Sequence, residues 1–397
     1  MTDSNNALTL LLARPDRGVA GFSYTVAEIA AQPMLWRKTG RLVADLVPQI
    51  KEFLGPEPRL LLSGAGSSHF VGMSIAPALR RVFPSVEAIP STEIIMDPES
   101  SLPRENFILV SFARSGDSPE GNAVVDIAER IRPSCVRHIV ITCNPMGGLA
   151  YAVREIGKRG MVIVLPEGTN DKGLAMTASF TSMALAGLML GMALQNDSTR
   201  CRTIADSLAT VGDRFLSGFS NLAAMVTKTE FHRVFFLASR PFFGGALEAH
   251  LKVQELSGGA IVAKAEDILG LRHGFMAAID SESLIVLMFS SDAYRRSYEL
   301  DLAKEIRRKG LGKMTLVISE DADGLKEFAD FVFETGTAPG LDDDSRSIIT
   351  VLSGQLIGLF ASLSLGLKPD SPSPQGIISR VVSGVIIHPY TSTSGVH

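Results

Sequence analysis

Four apolar segments in the first half of this 397-residue chain recur in the second half at a nearly fixed distance. The strand-like run 60–64 is answered by 234–238 at an offset of about 174 residues, and 107–112 by 284–289 at about 177. Likewise 138–143 is answered by 314–319, and the long apolar run 177–194 by 348–367 at about 172. A common register over four elements is the mark of a duplicated unit. Within the first copy, short buried strands are predicted at 59–63, 86–89, 107–111, 139–142 and 161–165, with helical segments between them. That β-α alternation demands parallel sheets covered on both faces.

The expected layout is therefore two similar α/β domains in tandem. Residues 1–41 read as an N-terminal arm and a helix at 25–39 whose periodicity Gln32-Pro33 interrupts. Residues 42–197 form the first domain, opening with a helix at 42–54. Residues 198–367 comprise a linking helical region, 198–229, and the second domain. Residues 368–397 are a tail, Pro-rich at first and apolar over 381–387, which predicts docking near the active site.

Composition narrows the function. Net charge is −4 with no basic block, which argues against a nucleic-acid partner. Cys135, Cys143 and Cys201 give neither a disulfide framework nor a zinc pattern. The first residues lack a charged region before their short apolar run, so a cytoplasmic location is expected. The apolar runs 178–194 and 348–367 carry hydroxyls and Gln355, and read as helices buried between layers rather than membrane spans.

Two turns in the first half suit an anion. Gly64-Ala65-Gly66-Ser67-Ser68 joins a buried strand to a helix N-terminus, where glycines admit close approach and N–H and hydroxyl groups point at the ligand. A plain serine cap or a nucleotide-binding turn has the same local pattern. A dinucleotide fingerprint would need a third glycine where His69 stands, although Glu87 leaves that reading open. The second turn, Arg114-Ser115-Gly116-Asp117-Ser118-Pro119, follows the next central strand. Ser118-Pro119 is a good cap pair, and Ser115, Gly116 and Ser118 beside Arg114 suit phosphate oxygens. Adjacent parallel strands put both turns at one carboxyl edge. A third stretch, 173–181, adds further hydroxyls.

The second half supplies acid–base groups. A helix ending at Gly258-Gly259 carries Glu248, Lys252 and Glu255 at i, i+4 and i+7, hence on one face. His273 follows eighteen residues later. Such a set is what proton transfer on a small polar substrate requires, although a solvated helix face would show the same spacing.

Together, the paired turns, the duplication and the helix–His segment resemble the sugar isomerase (SIS) family from about residue 28 onward. The run Ala175-Met176-Thr177-Ala178-Ser179-Phe180-Thr181 and the tail Arg380-Val381-Val382-Ser383-Gly384-Val385 are similar to the tagatose-6-phosphate ketose/aldose isomerase branch, which includes galactosamine-6-phosphate deaminases. The Glu-x3-Lys-x2-Glu helix and Arg272-His273-Gly274 also resemble the isomerase domain of glucosamine-6-phosphate synthase. No glutaminase domain precedes the repeat, so a glutamine-driven synthase is not expected.

The resemblance implies two tandem SIS domains, each a flavodoxin-like three-layer sandwich. It implies that Ser67, Ser68, Ser115 and Ser118, with the backbone near Leu174, hold a phosphorylated hexose or hexosamine, and the turns themselves add Gly66, Arg114, Gly116 and Thr177 as candidate contacts. Glu255 is then the base between C1 and C2, and Glu248 and Lys252 orient the sugar and polarise the reacting atom. His273 assists ring opening from the partner subunit of a homodimer. No metal and no organic cofactor is implied. Two departures stand out: Ala113 replaces the family's usual serine, and Arg240-Pro241-Phe242 and Ser290-Ser291-Asp292-Ala293 in the second half predict a lost phosphate site. The expected activity is deamination of an amino-sugar 6-phosphate, with plain aldose–ketose isomerisation as the alternative. A non-catalytic sugar-phosphate sensor is a reading of another class, as is a dinucleotide-dependent oxidoreductase.

Overall fold

The computed structural model describes residues 6–373, 375–382 and 384–390; Pro374 and Ser383 of the tail motif lie outside them. Two five-stranded sheets, both wholly parallel, form the frame. The first contains β1 (Arg59–Ser63), β2 (Ser85–Ala88), β3 (Phe107–Ala113), β4 (Val136–Thr142) and β5 (Gly160–Val164) in the order β2-β1-β3-β4-β5. The second contains β6 (Arg233–Ala238), β7 (Val262–Asp267), β8 (Ser283–Met288), β9 (Met314–Ser319) and β10 (Phe331–Glu334). Read from the matching edge it runs β7-β6-β8-β9-β10. The two orders are the same, so the repeat seen in the sequence is a repeat of topology. Each sheet reverses its winding beside its first strand, and a crevice opens there at the carboxyl ends.

Strands β7 and β10 have no counterpart among the predicted segments, and both are sheet edges. An edge strand needs little apolar surface, and Val262–Asp267 alternates alanine with charged residues. Phe331–Glu334 is only four residues long and half-buried.

A second difference lies at the N-terminus. Ser23–Leu54 is one helix, so the predicted break at Gln32-Pro33 is absent and the boundary drawn after residue 41 falls inside it. Proline removes the N–H that would bond the Ile29 carbonyl. The Gln32 side chain replaces it, donating from Nε2 to Ile29 O at 3.1 Å. The same amide donates to Gln355 Oε1 at 2.6 Å, and its oxygen accepts from Thr181 Oγ1 at 2.7 Å. Trp36 Nε1 closes this buried network on Thr181 Oγ1 at 2.9 Å.

Helix Ser198–Val226 stands before β6 as Ser23–Leu54 stands before β1, and the two pack against each other. The region read as a linker thus opens the second unit. Helices Ala178–Leu194 and Asp343–Ser364 are buried almost all round. The latter is long and apolar enough to cross a membrane, yet 89% of its apolar window is inside the protein. It lies against helix Phe243–Leu256, where a Cβ on Gly354 would come within 2.3 Å of Ala249 Cα. Only glycine permits that approach, which brings the two backbones together.

Candidate active site

Both anion-suited turns leave the crevice beside β1. After β1, Gly66 adopts φ +55° and the chain turns straight into helix Ser67–Leu79, placing Ser67 and Ser68 in its first turn. After β3, Gly116 adopts φ +73° and Ser118 caps the helix Pro119–Ile131. Such conformations cost glycine little. The two turns line one cavity of about 620 Å³, with Gly66, Ser67, Ser68, Arg114, Ser115, Gly116 and Ser118 all on its wall. Leu174, Glu255 and residues 376–382 of the tail complete it.

The second unit delivers the charged trio Glu248, Lys252 and Glu255. Helix Phe243–Leu256 follows β6 but packs on Ser67–Leu79, the corresponding helix of the first unit. Its charged face therefore looks into the first unit's crevice. Lys252 Nζ lies 2.5 Å from Glu255 Oε2, 3.1 Å from Glu248 Oε1 and 3.0 Å from Ser67 Oγ, to which it donates. Glu248 and Lys252 are 0% exposed at the side chain and Glu255 is 22% exposed, and of the three Glu255 alone lines the cavity.

Two carboxylates share one ammonium here, and the more deeply buried one yields. Burial, with a smaller push from Glu255, raises the Glu248 carboxyl to about 8 against the pull of Lys252. For Lys252, burial favours the neutral amine, but Glu248 and Glu255 outweigh it and hold its pKa above the ordinary value. At neutral pH Glu248 is then a carboxylic acid beside the Lys252 ammonium. A carboxyl raised on folding stabilises the native state below its unfolded pKa, and that contribution is lost as pH rises through the folded value. Glu248→Gln should therefore lessen the fall in stability between about pH 5 and 8 relative to the unaltered protein. Urea unfolding across that range measures it.

Arg114 lines the cavity, but its guanidinium ties the wall together. It donates to Leu174 O at 3.0 Å, to Gly173 O at 3.5 Å and to the carbonyl of Arg380 in the tail. Burial, helped by Arg380, lowers its pKa. Arg380 in turn donates to Asp171 O and to Asn170 Oδ1, each at 2.8 Å.

Thr177 and His273 fall away from the cavity, and the predicted backbone donor at Leu174 is engaged elsewhere. Thr177 is buried away from the cavity wall, its N–H and hydroxyl donating to Asp171 at 2.8 and 2.9 Å. The Leu174 amide donates to Asp370 O at 3.1 Å, so the backbone there is already engaged. His273 is exposed, just beyond the short turn Gly270–Arg272 that follows β7, and does not line the cavity of its own chain.

Sequence reasoning also missed residues. Asp171 accepts from Thr177, Ala178 and Ser179 and so fixes the start of helix Ala178–Leu194. Glu28 accepts from the N–H groups of Lys172 and Gly173, and burial first, then Asp171, raises its pKa to about 7. Ser91, on the cavity wall after β2, has a buried hydroxyl with no partner among the described residues. The Pro90-Ser91 pair following a predicted strand was the available signal for it.

No protein-family model matches the chain. Similar proteins are nevertheless plain. A Streptomyces coelicolor protein provisionally named D-galactosamine-6-phosphate deaminase AgaS is 39% identical over 381 residues, covering 92% of this chain and 95% of that one. D-galactosamine-6-phosphate deaminase AgaS of Shewanella sp. strain ANA-3 is 33% identical over 403 residues, covering 98% and 96%. The crystal structure of tagatose-6-phosphate ketose/aldose isomerase from Escherichia coli superposes with a TM-score of 0.83 at 30% identity, covering 93% of this chain and 97% of that one. With a shared topology, near-complete coverage and a glutamate set against a serine-lined crevice, the chain belongs to the sugar isomerase family, in the branch of galactosamine-6-phosphate deaminases and tagatose-6-phosphate isomerases.

Proposed function

We propose that this enzyme deaminates and isomerises an amino-sugar 6-phosphate, galactosamine-6-phosphate or its gluco epimer, to a ketohexose 6-phosphate and ammonia. The carrying observation is that Lys252 touches both Ser67 in the first turn and Glu255 beside the cavity. Phosphate held by Ser67, Ser68, Ser115 and Ser118 anchors the open-chain sugar, and that binding energy places C1 and C2 near the carboxylate. Glu255 takes the C2 proton, giving an enolamine, and returns a proton to C1. The resulting C2 imine adds water and releases ammonia, leaving the 2-keto sugar. Lys252 stabilises negative charge developing at the reacting oxygen. If C2 bears a hydroxyl, the same proton transfer is a plain isomerisation.

Ring opening is assigned to His273 of a second copy in a homodimer, since within one chain His273 faces away from the cavity. A cytoplasmic location belongs to the same reading. Incubation with glucosamine-6-phosphate, galactosamine-6-phosphate and tagatose-6-phosphate, following ammonia and ketose separately, tests the reaction. Ammonia in step with ketose supports it, interconversion of tagatose-6-phosphate without ammonia release from either amino sugar makes it a plain isomerase, and binding without turnover makes it a sensor. Mixing inactive Glu255→Gln and His273→Ala chains should restore about one quarter of full activity if the two residues meet across a two-fold interface. No recovery on proven mixed dimers removes His273 from the partner's role.

A further inference from the structure

The second unit keeps counterparts of the two turns that line the cavity in the first, and of the buried helix behind them. Ser239 follows β6, Ser290 and Ser291 follow β8, and Asp343 opens the buried helix Asp343–Ser364 as Thr177 precedes Ala178–Leu194. In the second unit these counterparts close on a carboxylate. Ser290 Oγ donates to Asp343 Oδ2 at 2.5 Å, and Ser291 donates from its N–H and hydroxyl to Oδ1 at 3.2 and 2.9 Å. Arg295 lies 3.0 Å from Oδ2 and Arg346 lies 3.3 Å from Oδ1. Ser290 and Arg346 are themselves buried. Although burial pushes the Asp343 carboxyl upward, Ser290, Ser291 and Arg295 outweigh it and hold its pKa below the ordinary value. Glu299 fills the neighbouring space, accepting from the Ser290 N–H at 2.8 Å and from the Ser239 hydroxyl.

We propose that this is an oxyanion hole left by the duplication and occupied by the chain's own Asp343, and that deleting the carboxylate turns it into a site for a small free oxyanion. The donors make the case. Two guanidinium groups, two hydroxyls and a backbone N–H converge on one carboxylate, which is the donor set of an anion receptor. Removing the acceptor leaves Arg295, a third exposed, without its carboxylate and Arg346 with Glu320 alone at 2.5 Å, around a gap that a fitting anion would fill. The inference rests on the second unit alone and is independent of the reaction assigned to the first. It also explains why the unaltered chain offers a phosphorylated ligand one cradle rather than two.

The experiment uses the full chain carrying Asp343→Ala, with formate and inorganic phosphate as probes and chloride at matched ionic strength as the control. In chloride the variant should melt several degrees below the unaltered protein. Formate or phosphate should raise its Tm saturably, by more than either raises the unaltered protein or Asp343→Asn, whose amide still fills the hole. Equal shifts in all three proteins overturn the proposal. If Asp343→Ala does not accumulate folded, it is refolded from urea in formate and in chloride. Recovery only with formate supports the hole, and equal failure in both overturns it.

Discussion

Glu255→Gln should lower kcat on the order of 10³-fold, while a phosphorylated sugar binds nearly as before. Glutamine keeps the size and the hydrogen-bonding reach of the side chain but cannot accept the C2 proton. The serine turns proposed to hold the phosphate belong to the other unit, and among the described residues they reach Glu255 through Lys252. Binding is read by calorimetry with the ketose product and turnover by the ammonia assay. Undiminished turnover excludes Glu255 as the base. Loss of turnover together with loss of binding would instead show that the site had been disordered.

Lys252→Met should cost about 10²–10³ in kcat, the range for removing a group that stabilises a developing oxyanion. Its effect on stability is expected to depend on pH in a particular way. Breaking a buried ion pair usually costs about 3–5 kcal/mol because a charge is left alone. Here Glu248, with its carboxyl raised to about 8, already carries a proton at neutral pH. At pH 7 the variant then loses only the pair with the partly exposed Glu255, so its deficit should be smaller at pH 7 than above pH 8. Urea titrations at pH 7 and 9 measure the difference. A large deficit at pH 7 would mean that Glu248 is ionised beside Lys252.

The frame was legible because strands of a doubly covered parallel sheet tend to be apolar runs, and eight such runs, the six central strands and the edges β2 and β5, stand out in the sequence. β7 and β10 were not, since those two edge strands carry the mixed surface that also marks loops. The Gln32-Pro33 break was misread for a related reason. Local propensity registers the missing N–H, but not a glutamine whose side chain supplies the lost hydrogen bond from inside the core. At the site, the spacing of Glu248, Lys252 and Glu255 identified one helix face, and the glycine-serine turns identified the crevice. Their meeting rests on packing between the two units, which no local pattern contains. Thr177 was assigned by its neighbours in sequence, whereas Asp171 claims both of its donors. His273 was placed by resemblance, and within its own chain it faces solvent.

The acid–base helix and the serine turns come from different halves of the chain, so their separation is an interdomain coordinate. A hinge opening by even a few degrees would draw Glu255 away from the serine turns. The Gln32–Gln355 pair spans that seam inside the core, at 2.6 Å. It acts as a weld, and it makes the protein's working clearance a property of its least accessible side chains.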